Sequence, residues 1–176
     1  MVYEKFDDID WVTPDARQFA EYWRSLDRDH LVPHRSSFDP TKIHRLLHSI
    51  AIYEVVSKEE IIYRLAGTAI VDRIGMEVTG RNFLDFWEGA GREQAGAAMY
   101  ECVTKPCGMF TSLTGKTHDG HIENSYAVGF PLLDDRGECN RLVFYSSEFQ
   151  FSHERLTRED RIKTLTAAKT IFVLLD

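Results

Sequence analysis

Reactive side chains are few in this 176-residue chain, with three cysteines and seven histidines. Cys102 and Cys107 flank a short stretch containing Pro106, and Cys139 stands apart. No pair has zinc-ligand spacing and the count leaves an odd thiol, so free, reduced cysteines are expected. His118, Asp119 and His121 cluster in "HDGH", but a tight turn aims such side chains outward and brings at most two ligands to one point. No metal site is expected. The G-x-S-x-G, G-x-x-x-x-G-K and H-E-x-x-H patterns are all absent, and no spacing unites a nucleophile with its base. "GTAIVDRIG" lacks the glycine spacing of a dinucleotide loop, so Gly67 and Gly80 are expected to serve the backbone and not a phosphate.

A non-covalent pocket remains, and its polar groups must come from inward-facing strand positions. Arg64 shares a face with Ile62 and Ala66, Asn124 and Tyr126 share one with Val128 and Phe130, and Tyr145 shares one with Val143 and Ser147. Asn124, Tyr126 and either Tyr145 or Ser146 are the polar tips expected in a cavity lined by Phe83, Phe86, Trp87 and Met99. That composition, mostly apolar with a few placed polar groups, is the pattern of a small-molecule site. Arg64 is a candidate for holding a carboxylate; the alternative is that it faces solvent or pairs with Glu54. The competing reading of the aromatics is a filled core that binds nothing.

These residues need elements to position them. Thr13-Pro14-Asp15 opens a helix over about 14–27, with Phe19, Tyr22, Trp23 and Leu26 on one stripe. Asp39-Pro40 opens a shorter helical piece carrying Ile43, Leu46 and Leu47. "IAIYEVV" and "IIYRLAG", joined by the polar "SKEE", read as a hairpin. Short helical pieces run to about Trp87, and a longer helix spans 91–106, ended by Pro106. Ala95, Ala98, Met99 and Cys102 make that helix the expected cavity wall. Three strands follow, "MFTSLTGKT", "HIENSYAVGFPLL" and "RLVFYSSEFQF", joined by turn-rich "HDG" and "DDRGECN". Thr157 and Asp160 suggest a final helix in which Ile162, Leu165, Ala168 or Lys169, and Phe172 repeat at helical spacing.

Composition bounds the rest. The chain is 43% hydrophobic and 12% aromatic, enough for one buried core and too short for two ordinary domains. Net charge is −7, which disfavours phosphate backbones and anionic membrane surfaces as partners. No apolar run approaches the roughly 20 residues of a membrane helix. The acidic start is no secretory signal, so a cytoplasmic setting is expected.

The order of elements, together with "YWRSL" (22–26), "FDPTKIHRLL" (38–47), "YRLAGTAIVDRIGMEVTGRNF" (63–83) and "GFPLLDDRG" (129–137), resembles a PAS domain. The likeness is to the near-stand-alone PAS family of alphaproteobacteria. It implies an α+β fold, a five-stranded antiparallel sheet with helices on one face, plus N-terminal and C-terminal helices. Residues 1–48 would form the N-terminal helical extension, 49–151 the PAS core and 152–176 the C-terminal helix. It also implies sensing and signalling by association, with no chemistry of the domain's own. The sequence to Asp176 shows no kinase, cyclase or DNA-binding segment, so output is expected to pass through a protein partner. The resemblance disfavours flavin, since Cys102 lies outside the Asn-Cys-Arg motif of photosensory relatives, and haem, since helix 91–106 has no histidine. An unidentified small organic ligand is left. The stripe of Phe19, Tyr22, Trp23 and Leu26 must be covered, and PAS relatives that pair through N-terminal helices point to a homodimer burying Trp23. The competing function is a small enzyme of the hydratase or isomerase type, which needs a buried acid or base; acids on the inner faces are scarce, so no enzyme is expected.

Overall fold

The computed structural model describes residues 1–147 and 161–175. Its frame is one seven-stranded sheet in the order β1-β7-β4-β5-β6-β2-β3. The strands are β1 (Tyr3–Lys5), β2 (Ile50–Val55), β3 (Ile61–Ala66), β4 (Gly108–Thr117), β5 (Ile122–Leu133), β6 (Cys139–Ser146) and β7 (Ile162–Leu174). β1 runs parallel to β7, and every other pairing is antiparallel. The stretch β4-β5-β6-β2-β3 is the expected five-stranded sheet, and β7 and β1 widen it beyond β4.

Both faces are covered, each by its own apolar cluster. On one face lie α1 (Pro14–Arg24), the N-terminal segment around Phe6 and Trp11, and the 3-10 piece Pro40–Ser49. Thr13 starts α1 as expected, its Oγ1 accepting from the Ala16 amide at 3.2 Å. The stripe assigned to a second copy is covered by this chain itself: Phe19, Tyr22, Trp23 and Leu26 are all buried against Phe130, Val143 and Tyr145. The reason is supply of apolar surface. β5 and β6 turn Val128, Phe130, Leu132, Val143 and Tyr145 to this face, and α1 is the element that fills it. The opposite face packs against α2 (Thr68–Ile74), the short 3-10 turn Phe83–Phe86, and α3 (Gly89–Thr104).

The expected C-terminal helix is corrected. Residues 162–174 form β7, and the expected start at Thr157 and Asp160 lies outside the described residues. The pairing with β4 explains the misreading. Thr117 faces Ile162 but Lys116 faces Thr164, and Leu113 faces Ala167 but Ser112 faces Lys169, so Lys163 and Ala168 are bulged out of register. Two bulges convert strict alternation into a 3-2-3-2 rhythm of inward positions, Ile162, Leu165, Ala167, Thr170 and Phe172, which imitates a helical stripe. A strand rich in Thr, Ile, Phe and Val has the composition for the pleated surface it occupies.

Candidate ligand-binding site

A cavity of about 430 Å³ lies between the sheet and the layer formed by α2, the 83–86 turn and α3. Its volume has a local cause. On the cavity face β5 presents Ser125, Ala127 and Gly129; a Cβ on Gly129 would sit 2.2 Å from the Phe144 ring. Gly129 thus lets the Phe144 ring lie against the strand, and Ala127 of β5 with Ala95 and Ala98 of α3 leave a hollow that larger side chains would fill.

An aromatic box closes the hollow. Tyr53 and Tyr63, facing across the hairpin, have ring centroids 4.8 Å apart, and Phe83 meets Tyr53 at 5.2 Å and Trp87 at 5.5 Å. Phe144 completes it against Tyr53 at 5.6 Å. Asn82 holds the turn that delivers Phe83 and Trp87. Its Oδ1 accepts from the Ile61 and Leu84 amides at 3.2 and 3.1 Å, and its Nδ2 donates to Glu59 O at 2.8 Å. Trp87 is tied on its other side by a parallel bridge to Leu165 of β7.

Polar groups in the cavity are sparse, and Arg73 is a buried charge among them. Arg73 of α2 donates Nε–H to Ala69 O at 3.0 Å and Nη1–H to Ser147 O at 2.8 Å. Burial pushes the Tyr53 and Tyr63 phenols up, so both stay protonated and hydrogen-bonded to each other; Arg73 offsets part of that shift. Trp87 differs from them. It is 5% exposed, it lines the cavity, and its Nε1–H has no partner among the described residues. A buried donor left unmade costs free energy that an acceptor on a guest would restore.

Of the residues expected at this site, Phe83, Trp87 and Met99 line it, together with Phe86 and Ser146. Four do not, and each has a physical reason. Arg64 is exposed and paired with Glu54, its Nε–H donating at 2.6 Å, as the alternative reading had it. Asn124 is exposed and accepts from Thr114 Oγ1 at 3.2 Å. Tyr126 stacks on Phe110, centroids 6.0 Å apart, and Tyr145 packs against Phe19 at 6.1 Å, both on the α1 face. The cavity takes the other parity of β5 and β6, the one with small residues. Cys102, placed in the helical wall, faces Cys107 instead. Sequence reasoning missed Tyr53, Tyr63, Arg73 and Phe144; the available signal was the cross-strand tyrosine pair on the face shared with Ala51 and Ile61.

Residues 12–143 match the protein family described as "PAS domain". The chain belongs to the PAS domain family. No curated protein matches this chain. Among solved structures it is similar to one described as "Flavin Analogue Sheds Light on Light-Oxygen-Voltage Domain Mechanism", at 12% identity over 64% of this chain and 84% of the other, TM-score 0.48. An "RNA-binding Light-Oxygen-Voltage Receptor" is 18% identical over 69% of this chain and 35% of its own, TM-score 0.48. The Rhodobacter sphaeroides LOV protein is 12% identical over 65% and 70%, TM-score 0.46.

These neighbours correct the exclusion of flavin. They are light-oxygen-voltage domains, and the description of one names a flavin analogue. One of these structures is described as RNA-binding. Among the described residues no helix is long and apolar enough to cross a membrane.

Proposed function

We propose that this chain is a cytoplasmic sensory PAS domain that takes one small organic molecule into the cavity and signals by association with another protein. The observation that carries the reading is the Trp87 indole N–H, buried without a partner among the described residues at the wall of an aromatic-lined hollow. A planar ring system with an acceptor at its edge meets both features: stacking and edge contacts with Tyr53, Phe83 and Phe144, and one hydrogen bond from Trp87. Flavins fall within that class. Among the described residues no Asp, Glu or His lines the cavity, which supports binding over the hydratase or isomerase alternative. Association, a second copy included, would use a surface other than Phe19, Tyr22, Trp23 and Leu26, which this chain buries itself.

Native mass spectrometry of the protein purified without additives, followed by titration with FMN and with 1-anilinonaphthalene-8-sulfonate, tests the reading. A co-purifying adduct, or saturable one-to-one binding of either probe that Ala98→Trp abolishes, supports it. No adduct and no saturable binding of either probe would sink it.

A further inference from the structure

A dithiol outside the cavity has a geometry suited to chemistry of its own. Cys102 lies in the last turns of α3 and Cys107 immediately before β4, with their Sγ atoms 3.9 Å apart. Both are buried, Cys102 at 1% exposed and Cys107 at 3%. The Cys107 amide donates to the Cys102 carbonyl at 3.3 Å, so the chain between them is folded into one closed turn that holds the two side chains face to face. A disulfide needs its sulfurs about 2.05 Å apart and its Cα atoms about 4.4–6.8 Å apart. A five-residue separation bridged by that backbone bond brings the Cα atoms together, and rotation of the two side chains supplies the rest.

We propose that Cys102 and Cys107 form a reversible internal disulfide, making the junction of α3 and β4 an oxidation site for hydroperoxides. The Cys107 thiolate attacks one oxygen of hydrogen peroxide, the O–O bond breaks, and the departing hydroxide is protonated to water, leaving a sulfenic acid on Cys107. Cys102, giving up its proton, attacks that sulfur and displaces hydroxide, which takes the proton and leaves as a second water. Two thiols lose two electrons and the peroxide gains them. The roles follow from the environment. The hydrogen bond shared with Cys102 holds the Cys107 thiol below its usual range, while the same bond and burial push Cys102 up. Burial pushes the Cys139 thiol up to about 11, which keeps it a poor nucleophile. Closing the bond draws the end of α3 towards β4, three residues beyond Met99 in the cavity wall, so oxidation acts on the helix that encloses the pocket.

The test is to expose the folded protein to millimolar hydrogen peroxide, quench, unfold, label with N-ethylmaleimide and count labels by intact mass. Labels should fall from three to one, with a peptide joining Cys102 to Cys107 and full recovery after dithiothreitol. Cys139→Ser should go from two labels to none, and Cys102→Ser should leave a dimedone-reactive Cys107 and no cross-link. Retention of all three thiols, a link to Cys139, or a Cys102–Cys107 link formed only when peroxide meets urea-unfolded protein would each overturn the proposal. The label count does not depend on whether any ligand binds, so its failure is separable from failure of the sensory reading.

Discussion

Trp23 of α1 lies flat on Phe130 of β5, ring centroids 4.6 Å apart and planes 15° apart, and donates its indole N–H to the neighbouring Pro131 carbonyl at 3.0 Å. This contact, 1% exposed, seats the N-terminal helix on the face of the sheet that does not hold the cavity. Trp23→Ala should therefore cost roughly 3–5 kcal/mol, and Trp23→Phe, which keeps a ring but not the donor, should cost less. Trp23→Glu buries a carboxylate and is expected to unfold the chain, with no folded monomeric form released from a dimer. Urea denaturation and sedimentation of each variant check this; a folded, monomeric Trp23→Glu protein from a dimeric parent would return Trp23 to an interface.

Trp87→Phe should separate binding from stability in opposite directions. Removing an unpartnered buried donor relieves a cost of about 1–3 kcal/mol, which offsets the smaller ring, so the free protein should stay as stable or gain slightly. Affinity for the cavity probe should fall by about tenfold, the worth of one good hydrogen bond. Thermal denaturation and probe titration read the two; equal affinity in both proteins would remove Trp87 from the site.

Ala98→Trp should fill the space that α3 leaves above the sheet. Overpacking of this kind costs roughly 1–3 kcal/mol, and the expected outcome is a folded protein that no longer binds. Retained binding and undiminished stability together would mean that α3 is not the wall.

Glu54 sits between Arg64 and Arg141 across three strands, 2.8 Å from Arg141 Nη1. Burial alone would raise its carboxyl, but hydrogen bonds from Arg141 and Arg64 hold it below the usual carboxylate range. A carboxyl depressed in the folded state adds stability that is present above the unfolded value, about 4.3, and is lost as pH falls through the folded value. Glu54→Gln should thus be less stable than the parent by about 1–2 kcal/mol at pH 7, between exposed and buried pairs. The gap should close in acid. Urea midpoints of both proteins at pH 7 and pH 3 check the sign.

Gly67 and Gly80 should respond differently to alanine. A Cβ at Gly67 would lie 2.3 Å from His48 O and 2.4 Å from Leu47 O, backbone atoms that cannot swing away. Gly80 has open space around it and a φ of +84°, so its alanine pays only the left-handed strain of about 1–2 kcal/mol. Both amides are already spent, on Ile50 O and Tyr63 O at 2.8 Å each, which leaves neither for a phosphate. Thermal denaturation should rank Gly67→Ala as the more damaging, and ATP or NAD should shift neither the parent nor the variants.

The sequence alone determined the elements whose signals are local. The Thr13 cap, the polar turn between β2 and β3, Pro106 after α3 and the backbone glycines at 67 and 80 each act within a few residues, and the structure places elements where they indicate. The motif stretches carried the family, and Phe83, Trp87 and Met99 were legible as cavity residues because large apolar groups near helix breaks face inward in a sheet-and-helix fold. Tertiary structure decided everything that depends on which face of a strand is chosen. On β5 both parities are buried, so alternation could not say whether the cavity lies beside Tyr126 and Phe130 or beside Ala127 and Gly129; that was decided by α1 bringing Trp23 to one side, leaving the small residues to bound a hollow on the other. β7 was misread for a related reason. Its bulges at Lys163 and Ala168 exist only in its pairing with β4, and a periodicity produced by a partner strand cannot be told from a helix by looking along one chain.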